Sequence, residues 1–177
     1  FKQKTAYEIP KGSNKNSLFA GSSWIGGYDA QGQLKVAAQT YRQNGNDYWP
    51  GPLDPLTKSI DAASCSEWDR FWKVNKSDIN SFKELIRQGA DVSDPKFDVI
   101  KEWPAKGNIY AKGANGNTLN ILSAASTFEY APFVDVNADG VYDYHDGDYP
   151  DITGDQYIWW VFNDKGNIKG ETKTDAI

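Results

Sequence analysis

Residues 135–146 read Asp135-Val136-Asn137-Ala138-Asp139-Gly140-Val141-Tyr142-Asp143-Tyr144-His145-Asp146 and form an acidic loop with regular spacing. Ca²⁺ binds about six to eight oxygen atoms, and a loop of this kind supplies them from positions 1, 3, 5, 7, 9 and 12 if the chain turns sharply at position 6. Gly140 stands at position 6, where glycine allows the turn. The spacing therefore predicts a calcium site, with position 7 contributing its backbone carbonyl. The predicted ligands are Asp135, Asn137, Asp139, Val141, Asp143 and Asp146.

The charge around this loop is one-sided and favours a bound cation. No Lys or Arg occurs between Lys112 and Lys165, whereas that stretch contains nine carboxylates. Seven of them are Asp residues between Asp135 and Asp155, and they would repel one another in a folded loop without a cation. The surplus provides candidate additional ligands, which are Asp148, Asp151 and Asp155.

An ordinary solvated turn is the alternative interpretation, because Asp-, Asn- and Gly-rich segments also form turns without a metal. The acidic residues at positions 9 and 12 favour the metal. Pro132 precedes the loop, and Gly147, Pro150 and Gly154 follow it, so no helix is expected on either side. The loop is therefore not an EF-hand, and it resembles the helix-free calcium loops of thrombospondin type 3 repeats and dockerins. Without mobile helices, a structural role for Ca²⁺ is predicted.

Outside the loop, β-favouring segments predict a sheet-based domain. Two such segments, 17–28 and 33–41, flank a turn-like Asp29-Ala30-Gln31-Gly32 and predict a β-hairpin. The apolar run from Gln156 to Phe162 predicts a buried strand that enters a turn at 163–167.

A capping box predicts the first helix, because Ser64 is followed by Glu67 three residues later. Trp68, Phe71 and Trp72 then fall on one helical face. We expect this face to lie in the core.

Two further helices are predicted. One begins at Ser77 and stops at Gly89, with the apolar stripe Ile79, Phe82, Leu85 and Ile86. The other is short, begins at Asp94-Pro95 and ends before Pro104. Together the helices form a helical insertion at about 64–103.

The predicted fold class is mixed, mainly β with two or three short helices. It is a sheet-based domain with long ordered loops and a helix-free calcium loop at 135–155. A length of 177 residues favours a single domain over 1–177. Because the segment after the last predicted strand is polar, we expect the chain to be a fragment of a longer surface protein that continues past Ile177.

Composition argues against several classes of function. The net charge of −5, without clustered Lys and Arg, argues against a nucleic-acid partner. No apolar run approaches the about 20 residues that cross a bilayer, so no transmembrane segment is predicted. The lone Cys65 cannot form an intrachain disulfide. His145 is the only histidine and lies in the acidic loop, so no histidine-based catalytic site and no enzyme activity are expected.

Aromatic residues keep a carbohydrate-binding role open, since the chain has seven Trp, ten Tyr and eight Phe. Tyr48, Trp49 and Trp103 are candidates for stacking on sugar rings, although such residues more often anchor their own loops. Cleavage of a glycoside needs two carboxylates at a set separation, and no pair stands out. Carbohydrate binding is therefore the alternative function, and carbohydrate cleavage is a weaker one.

Four further segments are distinctive, and they read Phe19-Ala20-Gly21-Ser22-Ser23-Trp24-Ile25-Gly26-Gly27, Val36-Ala37-Ala38-Gln39-Thr40-Tyr41-Arg42, Asn46-Asp47-Tyr48-Trp49-Pro50-Gly51-Pro52-Leu53 and Gly147-Asp148-Tyr149-Pro150-Asp151-Ile152-Thr153-Gly154-Asp155-Gln156. They resemble the N-terminal region of large secreted surface proteins of Bacteroidota that the type IX secretion system exports. The resemblance covers about residues 19–167. It implies an extracellular, outer membrane-associated location and, in some such proteins, adhesion or gliding motility. It implies no catalytic residue.

The sequence thus predicts a calcium-stabilised structural or adhesive module of a secreted cell-surface protein, with Ca²⁺ as its cofactor. The expected partners are other domains of the same long chain or other surface and secretion-system proteins. Under the alternative function the partner is a glycan.

Overall fold

The computed structural model describes residues 21–40, 47–54, 56–119, 121 and 130–165. The chain divides into two compact units, one of residues 1–49 with 162–177 and the other of residues 50–161. The expectation of a single domain stays a prediction. Helix and strand content are about equal in the described residues, so the fold is mixed as predicted but not mainly β. No helix in these ranges is long and apolar enough to span a membrane.

The first unit contains the predicted β-hairpin. Strand β1 (Trp24–Tyr28) pairs antiparallel with β2 (Leu34–Ala38). Asp29 fixes the turn between them, because its Oδ1 accepts hydrogen bonds from two backbone N–H groups of the turn at 3.0 and 2.8 Å. Both strands are confirmed, while residues 17–20 and 41 of the predicted hairpin lie outside the described residues.

Tyr48 is the anchor of this hairpin. Its ring is buried, and its hydroxyl lies within hydrogen-bonding distance of the carbonyl oxygens of Ser23 and Ala37. Two very short strands lie where the sequence passes from one unit to the other. Strand β3 (Trp49–Pro50) lies at the first boundary, and β8 (Phe162–Asn163) lies at the second.

Helix α1 (Ala62–Trp68) begins and ends earlier than the sequence predicts. Its N-cap is Asp61, whose Oδ1 accepts from the Ser64 N–H at 2.8 Å, so the predicted capping box at Ser64 and Glu67 is wrong. Trp72 belongs to a strand instead of to this helix. Its pairing in a sheet outweighs the helical spacing of the aromatic residues around it.

Helix α2 (Lys76–Arg87) confirms the second predicted helix, although it is capped two residues before the predicted position. It buries the predicted apolar stripe, fully at Ile79 and Phe82. A 3₁₀ turn (Pro95–Phe97) then leads into α3 (Asp98–Lys101), which confirms the third predicted helix.

Two short antiparallel sheets belong to the second unit. Strand β4 (Trp72–Asn75) pairs with β7 (Gln156–Trp159), and β5 (Phe133–Val134) pairs with β6 (Tyr149–Pro150). The predicted strand that runs to Phe162 is therefore too long, since the pairing of β7 stops at Trp159.

Aromatic side chains dominate the core of the second unit. Trp72 and Trp103 are fully buried, and the ring of Trp159 lies 5.6 Å from that of Trp72. The Trp103 indole N–H donates to the carbonyl of Pro132 at 2.9 Å. This bond connects the segment after α3 to the residues that lead into β5 and the acidic loop.

Candidate metal site

The acidic loop connects β5 to β6 and is anchored in the core through Tyr142. The buried Tyr142 hydroxyl donates to the carbonyl of Ile100 at 2.7 Å, and its backbone N–H donates to that of Lys106 at 2.8 Å. Burial raises the pKa of Tyr142 well above its ordinary value, so the phenol is a neutral donor. At the base of the loop, the Asp151 N–H donates to the Pro132 carbonyl at 3.1 Å.

The first half of the loop folds around the carboxylate of Asp135. Its Oδ1 accepts from the Ala138 N–H at 2.6 Å, and its Oδ2 accepts from the Gly140 N–H at 2.8 Å. Gly140 has a φ of +84°, as the turn position requires, and Ala138 has a φ of +61°. The left-handed region costs a residue with a side chain about 1–2 kcal/mol, so the loop holds this shape against local strain.

The side chain of Asn137 contacts two other predicted ligands. Its Nδ2 donates to Oδ2 of Asp139 at 3.0 Å and to Oδ2 of Asp146 at 3.1 Å. Position 3 of the calcium pattern therefore contacts both position 5 and position 12. An amide donor with partial positive charge lies between two carboxylates that come from the two halves of the loop.

Asp143, at position 9, faces a different neighbour. Its Oδ1 accepts from the backbone N–H of His145 and lies 2.9 Å from His145 Nδ1. Asp143 thereby caps the 3₁₀ turn Tyr144–Asp146 at the end of the loop. Val141, at position 7, donates its N–H to Oδ1 of Asp139 at 2.9 Å.

Asp148, a candidate additional ligand, has another role in the structure. Its side chain is buried, Oδ1 accepts from the Val136 N–H at 2.8 Å, and Oδ2 accepts from the Asp143 N–H at 2.9 Å. Burial raises the pKa of this carboxyl above its ordinary value. Because both oxygens accept hydrogen bonds from backbone amides in the two halves of the loop, Asp148 fastens the loop, and its role as an additional ligand stays a prediction.

Asp151 and Asp155, the other candidate additional ligands, have exposed side chains. Nowhere in the described part of the chain do three or more His, Cys, Asp or Glu side chains form a group that could hold a metal ion as they stand. The calcium pattern also draws on Asn137 and on the backbone carbonyl of Val141, which are not side chains of those types.

Two of the three predicted sugar-stacking residues are buried, which corrects that part of the prediction. Trp103 has no exposed surface, and Tyr48 is 7% exposed. Trp49 is half-buried, and its indole nitrogen is buried without a hydrogen-bond partner among the described residues. Among the described residues, the most exposed aromatic rings are those of Trp24 and Tyr28 in the hairpin, at 70% and 76%. Their even spacing in a β-strand, which places both on one face, is the signal that could have identified them.

Comparison of the chain with protein family models, curated proteins and solved structures gave no match. The resemblance to secreted surface proteins of Bacteroidota therefore stays a prediction from the quoted segments. Apart from His145, the polar side chains of residues 135–146 offer oxygen atoms as metal ligands, and this chemistry favours a hard cation.

Proposed function

We propose that this chain is a calcium-stabilised structural or adhesive module of a secreted cell-surface protein. The observation that carries the proposal is the contact of Asn137 with Asp139 and Asp146, beside the turn that Asp135 and Gly140 form. These residues occupy positions 1, 3, 5, 6 and 12 of the calcium pattern. The proposed ligands are Asp135, Asn137, Asp139, Asp143 and Asp146, with the backbone carbonyl of Val141.

Calcium fits this donor set better than other biological cations. Carboxylate, amide and carbonyl oxygens are hard ligands, which transition metals such as Zn²⁺ and Cu²⁺ favour less than nitrogen or sulfur. Mg²⁺ demands near-octahedral geometry at about 2.0–2.1 Å, whereas Ca²⁺ accepts a larger and less regular shell. A half-turn of the Asn137 amide exchanges its Nδ2 donor for its Oδ1 acceptor, the atom that a cation requires.

The neighbours of the loop support a structural role over a sensing one. In sequence the loop lies between the strands β5 and β6, and no α-helix occurs within residues 130–165. Calcium sensors of the EF-hand type work by changing the angle between two helices. A cation here would instead offset the mutual repulsion of the seven Asp residues between Asp135 and Asp155 and stabilise the loop that Tyr142 anchors to the core.

The proposed context follows from the resemblance to type IX secretion substrates. An extracellular, outer membrane-associated location suits a site whose dissociation constant is about 10⁻⁴–10⁻³ M, as in other extracellular calcium modules. The proposed partners are other domains of the same long chain or other surface and secretion-system proteins, in adhesion or gliding motility. We propose a binding and stabilising role, not an enzymatic one.

Calcium should raise the thermal stability of the chain, and chelation should lower it. At a free concentration about 100 times the dissociation constant, a ligand of the native state adds about 2.7 kcal/mol to the free energy of unfolding. For a chain of this size that corresponds to about 5–11 °C in melting temperature. Scanning calorimetry in EDTA and across a calcium series measures the shift.

Two variants show whether the loop carries this effect. Asp139→Ala should remove most of the calcium-dependent shift, whereas Asp69→Ala, at an exposed Asp outside the acidic segment, should retain it. Equal melting temperatures in EDTA and in millimolar calcium, with no heat of binding in titration calorimetry, would contradict the proposal.

Carbohydrate binding is the second candidate function, and the exposed hairpin face favours it. Trp24 and Tyr28 lie on one face of β1, on either side of Gly26. In β2, Leu34 pairs with Tyr28 and Val36 pairs with Gly26, so both extend this exposed face. Exposed aromatic rings of this kind present an apolar surface with a polar edge. The face contains no charged side chain in β1 or β2, so it suits a neutral glycan.

On this alternative, a glycan array should show binding that Trp24→Ala and Tyr28→Ala each weaken. We expect about a two- to tenfold loss of affinity per ring, the size of a single aromatic contact. Trp160→Ala, which removes a partly exposed ring from the other unit, is the control. An array without signal above background would eliminate this candidate.

A further inference from the structure

An open cleft of about 470 Å³ lies in the second unit, where α1 begins. Its wall comes from residues 52–54, 59–61 and 117–119, from α1 and from Tyr130. It contains no residue of the acidic loop. Its volume is within the range of pockets that bind small molecules.

The floor of this cleft is apolar. Leu53, Ile60 and Leu119 line it together with Trp68 and Tyr130. The last two rings stack on each other with centroids 6.0 Å apart and planes within 8°, and both are buried. Since neither ring presents an open face, the floor suits an alkyl chain better than a sugar ring.

Among the described residues that line the cleft, three carboxylates lie at its rim, and none of these residues is Lys, Arg or His. Asp54 accepts through Oδ1 from the N–H groups of Leu56 and Thr57 at 2.9 and 2.7 Å. Its Oδ2 has no hydrogen-bond partner among the described residues. The bonds from Thr57 lower the pKa of Asp54, and the charge of the nearby Lys58 adds to this.

The other two rim carboxylates are also held in place. Asp61 accepts from the N–H and the hydroxyl of Ser64 at 2.8 and 2.9 Å. Glu67 accepts from Nδ2 of Asn117 at 2.5 Å and from Nδ2 of Asn115 at 3.0 Å. These bonds, from Ser64 and from Asn117 first, lower the pKa of both carboxyls. All three rim carboxylates are therefore anionic at neutral pH, and their hydrogen bonds hold each of them in one position.

We propose that this cleft binds the side chain of a lysine or arginine from a partner peptide. The alkyl part lies on the apolar floor, and the ammonium or guanidinium group meets the rim, where Oδ2 of Asp54 offers an unused acceptor. The same rim repels carboxylates and phosphates. The inference goes beyond the calcium proposal, because it gives the module a means of recognising a basic partner.

An NMR titration of the isotope-labelled chain with Nα-acetyl-lysine methylamide tests the proposal. The matched control is Nα-acetyl-norleucine methylamide, which keeps the alkyl chain and lacks the charge. We expect saturable shifts at Ser64, Asn117 and Leu119, a dissociation constant of about 1–10 mM and at least about fivefold weaker binding of the uncharged control. Salt should weaken the binding, since the rim is exposed. Equal binding of the two probes, or shifts confined to other surfaces, would overturn the proposal.

The arginine derivative of the probe forms the second arm, and the tighter of the two binders identifies the preferred head group. The double variant Asp54→Asn with Asp61→Asn removes two charges but keeps the capping oxygens, because Asn forms the same turns and caps as Asp. We expect about a five- to tenfold loss of affinity for the lysine derivative, the size of two exposed charge contacts. Unchanged affinity would overturn the proposal.

Asp94→Asn is the matched control variant. Asp94 also caps a turn, through the Lys96 N–H at 3.0 Å, and it lies outside the cleft. Affinity for the lysine derivative should stay unchanged in this variant. If the double variant does not fold, Asp54→Asn alone gives the same test with an expected loss of about two- to threefold.

Discussion

Replacing Trp103 with alanine should lower the free energy of unfolding by about 3–5 kcal/mol, the range for removing a large buried aromatic side chain. Trp103 has no exposed surface, and its ring lies 6.3 Å from that of Tyr157 in β7. The variant also removes the indole N–H that donates to the Pro132 carbonyl. Because Pro132 also accepts from the Asp151 N–H at the base of the acidic loop, we expect the loss to reach that loop.

Urea unfolding followed by circular dichroism measures this loss, which corresponds to about 6–20 °C in melting temperature. Trp160→Ala is the matched control, since it removes the same side chain from a position that is 40% exposed. Trp160→Ala should lower the free energy of unfolding by less than half as much as Trp103→Ala. Trp103→Phe keeps a ring but loses the N–H donor, so its cost should be intermediate. Equal losses for Trp103→Ala and Trp160→Ala would contradict the central place of Trp103 in the core.

Trp103 also shows why the sugar-stacking residues could not be predicted. It stands directly before Pro104, where the third predicted helix ends and a loop begins, and a position beside a loop favours exposure. Its burial is decided by Pro132 and Tyr157, which are distant in sequence. Local patterns identify an aromatic residue but not the partners that cover it.

The helices show both a case in which local spacing predicts the structure and a case in which it does not. The apolar stripe of α2 is set by its own spacing, so the helix could be predicted from its sequence. Trp72 fits the helical spacing of α1 equally well, yet Trp72 and Val74 are both buried while Phe71 is exposed, which is the alternation of a strand. The pairing of β4 with β7 decides between the two patterns, and that partner lies more than eighty residues away.

The turn of the acidic loop could be predicted because its hydrogen bonds are local. Within the described part of the chain, the side chain of Asp135 accepts hydrogen bonds from Ala138 and Gly140, three and five residues further on. Asp148 could not be assigned in this way, because one of its bonds goes to Val136, twelve residues earlier, and forms only where β5 and β6 come together. A spacing pattern counts Asp148 as one more oxygen donor and does not show which atoms it faces.

Replacing Asp148 with alanine should therefore lower the free energy of unfolding by about 2–4 kcal/mol. The N–H groups of Val136 and Asp143 would both lose a charged acceptor, and a hydrogen bond to a charged group contributes about 1.5–3 kcal/mol, less where it is only part-buried. The loss of unfolding free energy in Asp148→Asn should lie between zero and that of Asp148→Ala, because its single side-chain oxygen satisfies one N–H while its NH₂ group faces the other donor. Asp151→Ala, at an exposed carboxylate three residues further on, should have little effect.

Urea unfolding in EDTA and in saturating calcium separates the two roles that Asp148 could have. A carboxylate that fastens the backbone contributes whether or not a cation is bound, so the cost of Asp148→Ala should be nearly the same in both conditions. A calcium ligand would contribute mainly in calcium, and Asp139→Ala should behave in that way. If the cost of Asp148→Ala disappears in EDTA, Asp148 is a ligand after all, and the two backbone bonds do not hold the loop.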